Sequence, residues 1–245
     1  MNIVFGIHAV EAALKKSAVS ELWLDERSKP TPRLSKLIDL ARREHVKIAR
    51  HPREALDQLA QGERHQGVVA HLAQELAAVK QQDLLSLIEG LDHPPFLLIL
   101  DGVTDPHNLG ACLRSANAAG VDAVIAPKDK AVGLTPVVRK VACGAAEETP
   151  FYQVTNLART LRDLQQAGVW LIGAAGETEQ DIYQADLKGS LALVMGAEGS
   201  GLRRLTREHC DLLVKIPMAG TVESLNVSVA TGICLFEALR QRQSS

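Results

Sequence analysis

Apolar and polar positions alternate along the chain in two successive stretches of α/β character. In the first 73 residues, 21–25 and 46–49 alternate with the period of two expected of a half-buried strand, and 67–72 is short and β-rich. Helical periods lie between them. One covers 9–16, another 32–45 with Leu34, Leu37, Ile38 and Ala41 three or four apart, and a third 52–60 with a proline near its start. The pattern predicts a small α/β domain over residues 1–73. Residues 74–93 read as a linker, Gln-rich and without strand pattern, with a short helix expected at 84–91 before Asp92-His-Pro-Pro95.

From Phe96 the pattern changes. Residues 96–100, 123–126, 169–173 and 191–195 are continuous apolar runs, as in parallel strands covered on both faces. Helical periods separate them near 108–120, 135–146, 156–167 and 202–208, and a long helix is expected at 225–240. This spacing predicts a second α/β domain over 94–245, built on a parallel sheet.

Composition narrows the class. With 46% apolar and 23% charged residues the chain is a folded, globular one. No apolar run reaches the roughly 18 residues that cross a bilayer, and no basic stretch of a secretion signal opens the sequence, so a cytoplasmic protein is expected. Cys112, Cys143, Cys210 and Cys234 are far apart among apolar neighbours. They are expected to be reduced, buried small hydrophobes, neither disulfides nor metal ligands, and no metal is expected.

The net charge of −2 hides an asymmetry. Residues 1–74 hold 12 Lys and Arg against nine Asp and Glu, whereas the remainder holds 15 against 20. The sharpest stretch contains Arg33, Lys36, Arg42, Arg43, Lys47, Arg50 and Arg53, opposed only by Asp39 and Glu44. Such a run is ordinarily a solvated face; the functional alternative is a patch for RNA phosphates. With two Trp, two Tyr and four Phe, the chain is poorly supplied for a site built on base stacking, so any RNA contact must lean on charge and shape.

In an open parallel sheet ligands bind beyond the carboxyl ends of the strands. Three loops placed there are rich in Gly, Asn and charge: 101–114, 196–201 and 216–228. None continues into Gly-Lys-Ser/Thr, and the glycines of 196–201 stand in the wrong order for a dinucleotide fingerprint. A phosphate-loop protein and a nicotinamide dehydrogenase are both disfavoured.

These loops read D-P-x-N-x-G-A-x-x-R-S-A at 105–116, L-V-M-G-x-E-G-x-G at 193–201 and I-P-M-x-G-x-V-x-S-L-N-V-S-x-A at 216–230. In that order they resemble the three motifs of the SpoU (TrmH-like) RNA ribose 2′-O-methyltransferases of the SPOUT class, and the leading domain resembles the family's L30e-like RNA-binding extension. The resemblance implies an S-adenosylmethionine-dependent enzyme that methylates a guanosine ribose in 23S rRNA. It also implies a homodimer and a C-terminal domain whose chain forms a deep trefoil knot. Carried over motif by motif, Arg114, Asn108, Glu198, Asn226 and Ser224 are the catalytic candidates, and Gly196, Ile216, Leu225, Met218 and Gly199 the cofactor contacts. Arg114 is either a clamp on the neighbouring phosphate or a base; Ser224 either touches substrate or caps the terminal helix. The sequence departs from the resemblance at Cys143, where many relatives have Ser, and at Thr135, where the family member it most resembles has Asn. The motifs alone leave open a tRNA substrate, or a non-catalytic RNA-binding module that kept the fold.

Overall fold

The computed structural model describes residues 3–73 and 81–243. Contacts divide the chain into two compact units, one from residues 1–78 together with 134–148, the other from 79–133 with 149–245.

The first unit is built on a four-stranded sheet in the order β1-β4-β2-β3, from β1 (Ile3–Phe5), β2 (Val19–Asp25), β3 (Lys47–His51) and β4 (Val68–Leu72). β4 runs antiparallel to β1 and β2, and β3 parallel to β2. Helices α1 (Ile7–Lys15) and α2 (Pro32–Arg43) bury Ala9, Val10, Ala13, Leu14, Leu34 and Leu37 against Leu22, Leu24, Val68 and Ala70 on one face. Helix α3 (Arg53–Leu59) sets Leu56 against Phe5 and Val69 on the other. The start of α2 is written in the sequence: Thr31 accepts from the Leu34 N–H at 3.2 Å, and Pro32 is pre-set for the first helical position.

The second unit carries six parallel strands in the order β10-β8-β9-β5-β6-β7. These are β5 (Phe96–Asp101), β6 (Ala123–Pro127), β7 (Phe151–Val154), β8 (Trp170–Ala174), β9 (Leu191–Gly196) and β10 (Leu212–Val214). One face buries Leu97, Ile99, Ile125, Leu171 and Val194 under α4 (Gln81–Glu89) and α8 (Leu157–Gln166), with α9 (Arg204–His209) beside α8. Alternate residues, among them Leu98, Leu100, Leu193 and Met195, face the other side, where α5 (Pro106–Ala118) packs on α10 (Val227–Gln243).

Several expectations are corrected. The helix expected over 135–146 is two helices, α6 (Pro136–Ala142) and α7 (Ala145–Glu148), because Cys143 at φ 53° and Gly144 at φ 96° leave the right-handed region. By its contacts this segment belongs to the first unit. Strands β1, β7 and β10 were not expected; each has only three or four residues, too few to show a period. Residues 74–80 of the expected linker lie outside the described residues, while Leu84 and Ile88 of α4 pack into the second unit's core. Cys112 and Cys234 are buried as expected, but Cys143 is exposed and Cys210 only partly buried. Burial pushes the thiols of Cys112 up to about 11, and of Cys210 and Cys234 to about 12, so these three stay protonated and inert at neutral pH.

Candidate functional site

The three motif loops meet at the carboxyl edge of the six-stranded sheet. β5 ends in Asp101, in register with Gly196 at the end of β9. Past β5, Asp105 caps α5 by accepting from the His107 N–H at 2.9 Å, and Pro106 opens the helix. Asn108 therefore sits in the first turn, 8% exposed, at the sheet's edge. Past β9 the chain reverses in a tight hairpin in which Ala197 and Gly201 exchange backbone hydrogen bonds of 3.1 and 2.9 Å. Gly196 is required there, since a Cβ on it would lie 2.1 Å from the carbonyl carbon of Gly201. Gly199, at φ 80°, makes the turn beside Glu198.

A chain of side-chain hydrogen bonds joins the loops. Asn108 Nδ2 donates to Glu198 Oε2 at 3.3 Å, and Asn226 Nδ2 donates to Asn108 Oδ1 at 2.9 Å. Asn226 Oδ1 in turn accepts from the backbone N–H of Ser228 at 2.9 Å and from its hydroxyl at 2.6 Å. Both amide orientations are fixed from the ends: the Glu198 carboxylate only accepts and the Ser228 backbone N–H only donates. The same bonds correct one expectation. Asn226, not Ser224, caps the long terminal helix, which starts at Val227; Ser224 is exposed and outside this chain of bonds.

Loop 215–226 leaves the edge strand β10 and ends at Asn226, bonded to α5, the helix that follows β5. Because β8 and β9 lie between β10 and β5, the loop crosses their carboxyl ends. Ile216 and Leu225 are partly buried in it, whereas Met218 and Val222 are exposed. Irregular, exposed backbone with apolar side chains, beside the crowded Gly196–Gly201 crossing, has the chemistry to hold a nucleoside: apolar walls for a base, and peptide groups for its polar edges. Arg114 is exposed on α5, six residues beyond Asn108 and about 120° round the helix.

Asp101, Arg203 and Ser228 belong to the site but are not among the motif candidates. Asp101, fully buried, accepts from the Arg203 backbone N–H at 2.9 Å and from Arg203 Nε at 2.5 Å, and pairs with the rest of the guanidinium. It ties the far end of the Gly196 loop to the end of β5. The available signal was an acidic residue closing an otherwise apolar strand.

The seven cations singled out in the first unit are all exposed. They do not share one helix face: Arg33, Lys36, Arg42 and Arg43 lie on α2, Lys47 and Arg50 on β3, and Arg53 opens α3. Arg42 pairs with Asp39 at 3.6 Å, Lys47 with Glu21 at 2.9 Å and Arg53 with Asp57 at 3.8 Å, all at the surface. No helix among the described residues is long and apolar enough to cross a membrane.

Comparison with known proteins places this geometry. Residues 95–236 match the SpoU rRNA Methylase family, and residues 3–76 match the family of RNA 2′-O ribose methyltransferase substrate binding. The chain is 60% identical over 245 residues to the 23S rRNA (guanosine-2′-O-)-methyltransferase RlmB of Shewanella oneidensis, covering 99% of this chain and 98% of that protein. It is 54% identical over 243 residues to the protein of the same name from Escherichia coli, covering 98% and 99%. Among solved structures it is similar to the SpoU methyltransferase AviRb from Streptomyces viridochromogenes in complex with the cofactor AdoMet. That likeness has a TM-score of 0.80 at 25% identity and covers 99% of this chain and 91% of that one. With its second unit matched almost throughout and close relatives aligned end to end, the chain belongs to the SpoU rRNA methylase family.

Proposed function

We propose that this chain transfers the methyl group of S-adenosylmethionine to the ribose 2′-hydroxyl of a guanosine in 23S rRNA. The observation that carries the reading is the bonded chain from Glu198 through Asn108 and Asn226 to Ser228, which fixes three motif loops at the edge where a parallel sheet binds its ligand. Bound S-adenosylmethionine supplies a methyl group on a positively charged sulfur, already a good electrophile. The protein's main task is then alignment, which contributes on the order of 7 kcal/mol or more to such a reaction. Gly196, Gly199, Ile216, Met218 and Leu225 hold the cofactor, largely through backbone groups. Asn108, Glu198 and Asn226 keep the loops in the aligned arrangement, and Ser224 hydrogen-bonds the substrate phosphate or hydroxyl. Arg114 binds the phosphate beside the reacting ribose and favours loss of the hydroxyl proton electrostatically; a guanidinium, with five N–H donors and no acceptor, is better suited to this than to accepting the proton.

The exposed cations of the first unit, Arg33, Lys36, Arg42, Arg43, Lys47, Arg50 and Arg53, supply phosphate contacts on the rRNA in an L30e-like RNA-binding domain. The active form is a homodimer joined through the second unit. Val229, Ile233 and Phe236 recur at helical spacing on α10, and Val229 and Phe236 are 51% and 49% exposed, an apolar stripe that a second copy would cover. The C-terminal segment that crosses the sheet edge threads the trefoil knot, and the enzyme works in the cytoplasm, where rRNA is made. Mapping ribose 2′-O-methylation on rRNA and tRNA from cells with and without the gene tests the reading. One guanosine of 23S rRNA should lose its methyl group; a loss confined to tRNA, or none, contradicts it.

A further inference from the structure

Loop 128–133, between β6 and the first unit's segment 134–148, stands at the same carboxyl edge as the motif loops. It is fastened at three points. The Lys128 N–H donates to the Val154 carbonyl at the end of β7 at 2.9 Å, and the Val132 N–H donates to the Val103 carbonyl at 2.9 Å. Gly133 lies against Gln153, whose Oε1 is 3.1 Å from where its Cβ would be. Within the loop, Lys130 holds the left-handed conformation at φ 54°. Its carbonyl lies 3.7 Å from where a Cβ on Gly102 would be, and the Cβ of Ala197 lies at the same 3.7 Å. Gly102 follows Asp101 and Ala197 precedes Glu198, so the backbone of Lys130 is a direct neighbour of the loop that opens the first motif and close to the hairpin of the second.

Lys128 and Lys130 are both exposed, and among the described residues neither makes an ion pair within 4.0 Å. Many cations of this unit are neutralised locally: Arg203 by Asp101, Arg204 by Glu208, Arg207 by Glu177 and Arg240 by Glu237. Two ammonium groups on a fastened loop, next to the site and without carboxylate partners, are arranged to receive an anion from outside. Lysine serves this purpose as a point charge on a phosphate.

We propose that Lys130, with Lys128, binds backbone phosphate of the RNA strand that enters the site. The assignment rests on the reading that the substrate is RNA, and it adds a contact in the second unit to those of the first. Each such contact releases condensed counterions, so the logarithm of RNA affinity falls with the logarithm of salt by about 0.7 per phosphate on a single strand.

The test compares wild type, Lys130→Gln, the Lys128→Gln/Lys130→Gln double variant and Lys130→Arg as full chains, by filter binding to transcribed 23S rRNA at three salt concentrations. Lys188→Gln, which removes an exposed lysine three residues before β9 at the opposite edge of the sheet, controls for net charge. The double variant should bind about tenfold more weakly at low salt, with the log–log slope flatter by about one to one and a half. Lys130→Arg and Lys188→Gln should keep the wild-type slope, and calorimetric S-adenosylmethionine affinity should be unchanged throughout. An unchanged slope in the double variant, an equal change in Lys188→Gln, or loss of cofactor binding in the lysine variants overturns the proposal. Wild-type protein that binds the RNA with the expected slope yet transfers no methyl group would count against the catalytic reading and leave the phosphate site standing.

Discussion

Asn226 donates a 2.9 Å hydrogen bond to Asn108 across 118 positions of sequence, and Asn108 passes the connection on to Glu198. Residues so linked act as a unit, and their substitutions should not add. Asn108→Ala and Asn226→Ala should each reduce turnover by about 10² or more, and the double variant by little more than either single one. Asn226→Ala should in addition cost about 1 kcal/mol of stability, because the cap of α10 goes with it. Single-turnover methylation and thermal unfolding of the four proteins check both statements; fully additive losses would mean that the bonded chain is not a functional unit.

Asp101 should matter through Arg203. A carboxylate with no exposure that accepts three N–H groups is costly to disturb, because either partner's removal leaves the other's polar groups unmatched. Asp101→Ala should lower stability by about 3 kcal/mol and weaken S-adenosylmethionine binding, since the Gly196–Arg203 loop loses its anchor. Arg203→Ala should cost as much or more, because it leaves the fully buried Asp101 carboxylate with only the backbone N–H of residue 203, whereas the Arg203 side chain left by Asp101→Ala is 43% exposed and is rehydrated by solvent. Calorimetric titration and thermal unfolding report the two effects separately, and the reverse order of cost would contradict the assignment.

The cations of the first unit make a separate claim about RNA. Reversing Arg42 and Arg43 to Glu should weaken binding to 23S rRNA and flatten its salt dependence by one or two units, while cofactor affinity stays put. Exposed charges move stability by less than about 0.5 kcal/mol, so the melting temperature serves as the control. A solvated helix face without a partner predicts no change in affinity or slope.

Glu147 and Arg139 form a buried pair at 2.8 Å in the first unit, with Glu147 Oε2 lacking a hydrogen-bond partner among the described residues. Burial pushes the Glu147 carboxyl above its ordinary 4.5, against the pull of Arg139. A raised folded value means that the protonated form favours folding: this contribution is present in full below pH 4.5 and is lost as pH rises through the raised value. Arg139→Met strands the carboxylate and should cost about 3 kcal/mol at pH 7. The gap to wild type should narrow on acidification toward pH 4.5, as Glu147 takes up its proton. A gap that stays constant over that range would show that lost packing, not the stranded charge, sets the cost.

Much of this was legible in the sequence. The buried strands β5, β6 and β9 are continuous apolar runs because helices cover both faces of the sheet, and α2 announces its start with Thr31 and Pro32. What escaped the reading has physical reasons. β10 has three residues, so it shows no period, and α6 ends at Cys143, a residue whose side chain gives little hint of a left-handed backbone. The motifs singled out Asn108, Glu198 and Asn226, but their hydrogen-bonding to one another depends on a loop crossing two strands, which spacing along the chain does not encode. Asp101 stood in the sequence only as the first residue of loop 101–114, outside the motif candidates. Its role appears only when Arg203, 102 positions away, folds onto it.

The most direct test of the central claim is methyl transfer itself. Purified protein, labelled S-adenosylmethionine and 23S rRNA from cells lacking the gene should give one 2′-O-methylguanosine per rRNA molecule, located by nucleotide-resolution mapping. Arg114→Ala should bind the cofactor within a few-fold of wild type yet slow this transfer by about 10² or more, and Arg114→Lys should be nearly as slow, because a point charge does not reproduce the guanidinium fork. Label on tRNA instead of 23S rRNA, no label at all, or normal transfer by Arg114→Ala would contradict the account.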